Sequence, residues 1–315
     1  MEISDPGKIA RIEALAIPPA WKEVWISPWP GAKLQATGID AAGRRQYLYS
    51  PNFRARQEQA KFDKLIRFAD RLPQLRTAMA EHMSHGELDR EKVCAVAVAL
   101  INHGWFRVGS ERYARAYKTF GITTLTRRHV EVKGSRILFT FRAKHRILNR
   151  TAIVDQELAD LVKELLALPG GRRLFRYRQD EEVLNLTGAR LNEYLREHLG
   201  EEFTAKDFRT WGGTLEAALA LARRRLPETE SQTKREIAAV MRTVGERLGN
   251  TPAVARASYV SPAVVEQYRD GRTIENVRPR RLRAVGAREL DLNAEEEALL
   301  TLLRSWHIRR TRQAA

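Results

Sequence analysis

The sequence predicts an α+β protein in two parts: a small N-terminal β-sheet domain with helices, then a mostly α-helical domain that contains a β-hairpin. Three observations carry this. Residues 18–51 combine aromatics, Gly and Pro with short alternating stretches. Apolar residues recur at helical spacing from Asp89 onward. Within that helical part, the segment around Lys133 and Gly134 switches to a period of two.

The elements follow in chain order. "PPAWKEVWISPWPGAKLQATGIDAAGRRQYLYSP" reads as a small sheet with turns at Pro28–Gly31 and Ala41–Gly43. "FRARQEQAKFDKLIRFADRLPQLRTAMAEHM" reads as helix, with a break expected near Pro73. "SHGELDR" is the expected junction, so the domains are read as 1–85 and 86–315. Val93, Val96, Leu100 and Ile101 then share one helix face. In "TTLTRRHVEVKGSRILFTFRAKHR", Lys133 and Gly134 form the expected turn, and Ile137, Phe139 and Phe141 alternate with Leu138, Thr140 and Arg142. Continuing the second set by two places Lys144 beside Arg142 on the less apolar face.

Helices are predicted for "DQELADLVKELLAL", "TGARLNEYLREHLG", "TAKDFRTWGGTLEAALALARRRL" and "SQTKREIAAVMRTVGERLG". In the last, Ile237, Val240, Met241, Val244 and Leu248 form an apolar stripe, and Gly249 is the expected C-terminal cap. Both "TP" after it and "SP" after Tyr259 pair a capping hydroxyl with Pro at the first helical position. Tyr259 therefore falls at a joint between two helices. The Arg-rich stretch from Gly271 to Arg288 precedes a final helix at "LNAEEEALLTLLRSW".

Composition bounds the partners. Lys and Arg number 55 against 39 Asp and Glu, a formal charge of +16 over 315 residues. Such a field attracts polyanions, of which nucleic acid is the usual one. Charge alone does not separate an enzyme from a packaging protein. The single cysteine, Cys94, sits in an apolar run and reads as a buried filler, which fits a reducing cytoplasm. No signal peptide or membrane-spanning run is evident, so a cytoplasmic protein is expected.

The chemistry is approached by subtraction. Of seven histidines only His82 and His85 are close in sequence, and no GxxxxGK[ST] loop or compact acidic cluster is present. No metal or nucleotide cofactor is expected. Tyrosine, arginine and lysine suffice for phosphodiester chemistry: tyrosine attacks phosphorus, arginines hold nonbridging oxygens and a lysine protonates the leaving oxygen.

Composition does not select the residues; a resemblance does. "WFRVGSERYARAYKTFGITTLTRRHV", "FRAKHR", "AKDFRTWGGT" and "GNTPAVARASYVSP" together resemble the motif series of type IB DNA topoisomerases in their compact bacterial and poxvirus-like form. It runs from about residue 18 to 270 in the family's order. It implies Tyr259 as nucleophile, Arg107 and Arg209 as phosphate-holding cations and Lys144 as the acid. Where the viral and eukaryotic pattern has a histidine nine residues before the tyrosine, this chain has Asn250, whose NH2 can donate a hydrogen bond but carries no charge.

Arg142, His145 and Arg146 flank Lys144, and their field favours release of its proton. Lys206 and Asp207 are expected to support Arg209. Gly212 and Gly213 are expected to permit close approach of backbone or DNA, and Trp211 to anchor packing. The resemblance further implies ATP-independent relaxation of duplex DNA through a 3'-phosphotyrosyl link, by a monomeric, nucleoid-associated protein that closes on DNA as a two-domain clamp. Tyrosine recombinases use similar residues, but their second arginine stands in a "HxLRH"-like context where this chain has "KDFRTWGG". A noncatalytic DNA-compaction protein is the alternative from another class.

Overall fold

The computed structural model describes residues 3–226, 228–277 and 290–314. The architecture is α+β, and the chain divides into two compact units, Met1–Lys64 and Leu65–Ala315. Most of the Arg-rich stretch, from residue 278 on, lies outside the described residues.

The first unit begins with a helix that the sequence pattern does not announce, α1 (Pro6–Ala14), started by Asp5, whose carboxylate accepts from the Gly7 and Lys8 amides. Strands β1 (Lys22–Ile26), β2 (Leu34–Ile39) and β3 (Arg45–Tyr49) form an antiparallel meander in that order. Its turns fall where Pro28–Gly31 and Ala41–Gly43 predict them. Strand β2 is central and largely buried, whereas β1 and β3 present Trp25, Tyr47 and Tyr49 to solvent. Arg11 of α1 is tied to the sheet through Ser27 O at 2.6 Å and Gln35 Oε1 at 3.0 Å.

Helix α2 (Pro51–Met83) runs through Pro73 without ending, contrary to the expected break. A proline costs about 3 kcal/mol in a helix interior. Phe68, Ala69, Leu72, Leu75 and Met79 are buried on either side of it. Each large apolar side chain removed from water contributes roughly 1.5–3 kcal/mol, so packing prevails. The division between the units falls inside this helix, ahead of the "SHGELDR" loop.

Helix α3 (Arg90–Gly104) is the axis of the second unit. Asp89 caps it through the Lys92 amide, and every residue from Lys92 to Ile101 is buried. A helix apolar on all sides belongs inside the protein, with neighbours all round. Helix α4 (Glu111–Tyr117) follows, then β4 (Val130–Lys133), β5 (Arg136–Arg142) and β6 (Leu148–Val154), an antiparallel sheet in that order.

The expected hairpin is thus two-thirds of a three-stranded sheet. Its first turn lies at Gly134–Ser135, one residue later than expected, because Lys133 pairs with Arg136. Helix α5 (Gln156–Ala167), the small hairpin β7 (Arg176–Gln179) and β8 (Glu182–Asn185), and helix α6 (Gly188–Leu199) come next. Helices α7 (Ala205–Ala222), α8 (Glu230–Leu248), α9 (Pro252–Ser258), α10 (Pro262–Arg269) and α11 (Ala294–Ala314) complete the chain. The predicted stripe on α8 is buried along its whole length.

Glu296 of α11 is 4% exposed and holds three elements together. It accepts from Arg76 at 2.7 and 3.0 Å, from Trp211 Nε1 at 3.3 Å and from the Asn293 amide. Trp211 is therefore the packing anchor the sequence predicts, and α7 is fixed from behind.

Candidate active site

Four of the five residues singled out in the sequence meet at one place. Their elements explain why. Helix α8 ends at Gly249 with φ 60°, a left-handed conformation that glycine adopts without strain. The reversed chain is pinned by Asn250 N donating to Gly245 O at 2.8 Å. Thr251 caps α9 through the Val254 amide, and Pro252 opens it. Tyr259 terminates α9, and Ser261 with Pro262 starts α10 at once. The tyrosine stands at the predicted joint, half-buried.

Arg107 lies in the loop after α3, which ends at Trp105 in a left-handed conformation. That loop is fastened by the Ile122 and Thr123 amides, which donate to Arg107 O and Val108 O, each at 2.8 Å. The guanidinium donates to Asn250 Oδ1 at 3.0 Å and to Gly249 O at 3.1 Å. Asn250 Nδ2 donates in turn to Leu248 O at 3.3 Å. The asparagine thus holds Arg107 through its oxygen.

Arg209 stands in the second turn of α7 and is 4% exposed. It donates to the carbonyls of Trp105 and Leu248, the latter at 2.8 Å, and its Nε is buried without a hydrogen-bond partner. Its charge lies 5.1 Å from the centre of the Tyr259 ring. Burial, and then the like charge of Arg107, bring its pKa down to about 10, still cationic at neutral pH. Burial likewise lowers Arg107 from its ordinary value. Burial opposes ionisation of the Tyr259 phenol, but the fields of Arg209, Arg107 and Lys206 outweigh it and hold the group below the usual tyrosine value.

Helix α7 also grips the tyrosine's main chain, through a residue that no sequence signal singles out. Thr214, fully buried, donates its hydroxyl to Tyr259 O at 3.1 Å and accepts from Ser261 N at 3.1 Å. A Cβ on Gly213 would stand 3.0 Å from Tyr259 O and 3.2 Å from Tyr259 Cβ, and one on Gly212 would collide with the Trp105 indole. The close approach these glycines permit is to protein. Asp207 closes a capping box with Thr204, and Lys206 is exposed one turn before the buried arginine.

Lys144 is not in the cluster. It opens a tight turn, Lys144–Arg146, between β5 and β6, with His145 and Arg146 both at φ 61°. The strand therefore ends before the extrapolated position. Lys144 is exposed and its side chain has no hydrogen-bond or ion-pair partner among the described residues. His129 lies against Phe120, and its Nδ1 accepts from Thr126 N. Among the described residues no group of His, Cys, Asp and Glu is placed to hold a metal ion, and no helix is long and apolar enough to cross a membrane.

Tyr259 thus stands where the fields of two built-in guanidiniums lower its phenol below the usual tyrosine value. Comparison with known proteins gives the family. The profile described as "Eukaryotic DNA topoisomerase I, catalytic core" matches residues 50–281, and "Bacterial DNA topoisomerase IB, N-terminal domain" matches residues 1–40. The chain is similar to DNA topoisomerase 1B of Acanthamoeba polyphaga mimivirus, 33% identical over 270 residues that cover 83% of this chain and 80% of that protein. It is also similar to DNA topoisomerase I of monkeypox virus, 22% identical over 253 residues covering 78% of this chain and 77% of that one. DNA topoisomerase 1 of rabbit fibroma virus is 23% identical over 259 residues, 78% and 76% of the two chains. The chain belongs to the type IB DNA topoisomerase family, an enzyme family.

Proposed function

We propose that the protein relaxes supercoiled duplex DNA without ATP, through a 3'-phosphotyrosyl intermediate centred on Tyr259. The observation that carries this reading is the placement of Arg209 against the Tyr259 ring, where its field and that of Arg107 lower the phenol from its ordinary value. The phenol gives its proton to water, its oxygen attacks phosphorus, and the bond to the 5'-oxygen breaks. Lys144 passes a proton to that oxygen once DNA occupies the Lys144–Arg146 turn.

Arg107 and Arg209 stabilise the charge that grows on the nonbridging oxygens, and the unpartnered Arg209 Nε is a donor in reserve for them. Asn250 acts by orienting Arg107. The free strand swivels, and the 5'-hydroxyl reverses the reaction with no fuel consumed. The residue inventory that supplies this chemistry requires no metal or nucleotide. The reading extends to a monomer in which residues 1–85 and the catalytic residues 86–315 both engage the duplex as a clamp, acting at the nucleoid in the cytoplasm.

The test is relaxation of negatively and positively supercoiled plasmid in EDTA without ATP, comparing native protein with Tyr259→Phe. Native protein is expected to relax both signs. The variant is expected to lose more than about 10⁴-fold of the activity while still binding DNA. Relaxation by the variant at the native rate would overturn the assignment of Tyr259.

A further inference from the structure

A cavity of about 600 Å³ opens between the end of α4 and the loop that follows α5, apart from the Tyr259 cluster. Lys118, Arg127, Arg128 and Arg172 line it together with Phe120 and His129, and among the described residues no carboxylate does. The side chains of Lys118, Arg128 and Arg172 have no hydrogen-bond or ion-pair partner among the described residues, whereas Arg127 donates to Leu166 O. Like charges gathered this way repel one another, and an anion between them relieves the repulsion.

The walls are built before any ligand enters. Arg127 N donates to Arg172 O at 3.1 Å, and Leu174 N to Leu125 O at 3.0 Å, so the two loops are laced together. Behind them Arg176, 3% exposed, holds the loop by donating to Leu168 O at 2.6 Å, and to Pro169 O and Arg173 O at 2.9 Å each. Phe120 N donates to Arg142 O at 2.8 Å, which fastens the opposite wall to β5. The Phe120 and His129 rings lie 4.4 Å apart and make an aromatic face.

Because Thr126 N donates to His129 Nδ1, the neutral imidazole carries its proton on Nε2 and is a donor. Burial, then the fields of Arg128 and Arg173, hold this histidine below its ordinary pKa, consistent with a positive potential in the cavity. Planar guanidiniums match phosphate oxygens, and an aromatic face suits the sugar or base beside one.

We propose that this cavity is a phosphate-binding site separate from the Tyr259 cluster, which takes the phosphate of a nucleotide unit. The phosphate comes either from the backbone of bound DNA or from a free nucleotide, and the experiment distinguishes the two. It uses the full chain carrying Tyr259→Phe, so that only binding is read and the result stands whatever becomes of the tyrosine chemistry. Arg128→Gln and Arg172→Gln are combined; both positions are exposed, which spares the core.

Duplex affinity is measured against salt, and inorganic pyrophosphate is titrated without DNA while the His129 ring is followed by NMR. A backbone source predicts that the slope of log affinity on log salt shallows by about 0.9, for the one phosphate that is no longer neutralised. A free-nucleotide source predicts an unchanged slope and a saturable pyrophosphate shift at His129 that the double variant lacks. The proposal is overturned if neither change occurs. It is overturned equally if the control pair Lys163→Gln and Lys234→Gln, which removes two exposed charges elsewhere, shallows the slope as much.

Discussion

The Tyr259 cluster and the Lys144 turn belong to one proposed reaction yet are built in opposite ways. Arg209 is 4% exposed, bonded to two main-chain carbonyls and placed over the Tyr259 ring. Lys144 stands in water on a tight turn with no side-chain partner among the described residues. Fixed charges are most effective when they need no reorganisation at the moment of reaction. A proton donor gains from being hydrated and recharged until the substrate arrives. On the proposed mechanism, the folded chain would carry the charge-stabilising half of the site ready-made, and the acid half would wait for DNA.

The comparison breaks most visibly at Arg209. Arg209→Ala is expected to slow single-turnover cleavage by about 10²–10³-fold. It also costs roughly 1–3 kcal/mol of stability, because the Trp105 and Leu248 carbonyls lose their donor. An unchanged thermal midpoint would mean the guanidinium is not part of the scaffold. Lys144→Ala is expected to slow cleavage by about 10²-fold, with stability held within about 0.5 kcal/mol. A substrate whose leaving atom is 5'-sulfur needs little protonation and should recover the rate; failure to recover would remove Lys144 from the acid role.

Smaller effects sharpen the same contrast. Thr214→Val keeps shape but leaves Tyr259 O and Ser261 N unpaired, for an expected loss of about tenfold in cleavage that Thr214→Ser restores. Equal loss in both variants would point to packing instead of the hydroxyl. Lys206→Gln removes one of the fields that lower the phenol, so the Tyr259 pKa rises and the rising limb of the cleavage profile moves to higher pH. About a twofold slower rate near neutrality is expected. A profile that stays in place would show that Arg209 and Arg107 act alone.

Much of this site is legible in the sequence because its geometry is local. Gly249, the Thr251–Pro252 and Ser261–Pro262 pairs, and the α8 stripe each announce a cap or a face within a few residues. The rest is assembled from afar or carries a weak pattern. Strand β6 buries only Ile153 and exposes Leu148 and Val154, so its alternation is nearly invisible. The β7–β8 hairpin hides in a run of charges. Thr214 reads as an ordinary helix residue until α7 meets the tyrosine's main chain. Lys144 departs from its extrapolated place because the chain turns before the strand period reaches it. At Pro73 burial on both sides overrules the expected break, which no local rule foretells.

Cys94, the one cysteine of the chain, is wholly buried in α3, and burial pushes its thiol up to about 12. Such a sulfur does not react with thiol-directed dyes while the protein is folded. The native sequence is therefore already a labelling background. A cysteine introduced at exposed His145 would be the single reactive thiol, and a fluorophore on it would show, one molecule at a time, whether DNA reaches the Lys144 turn and when.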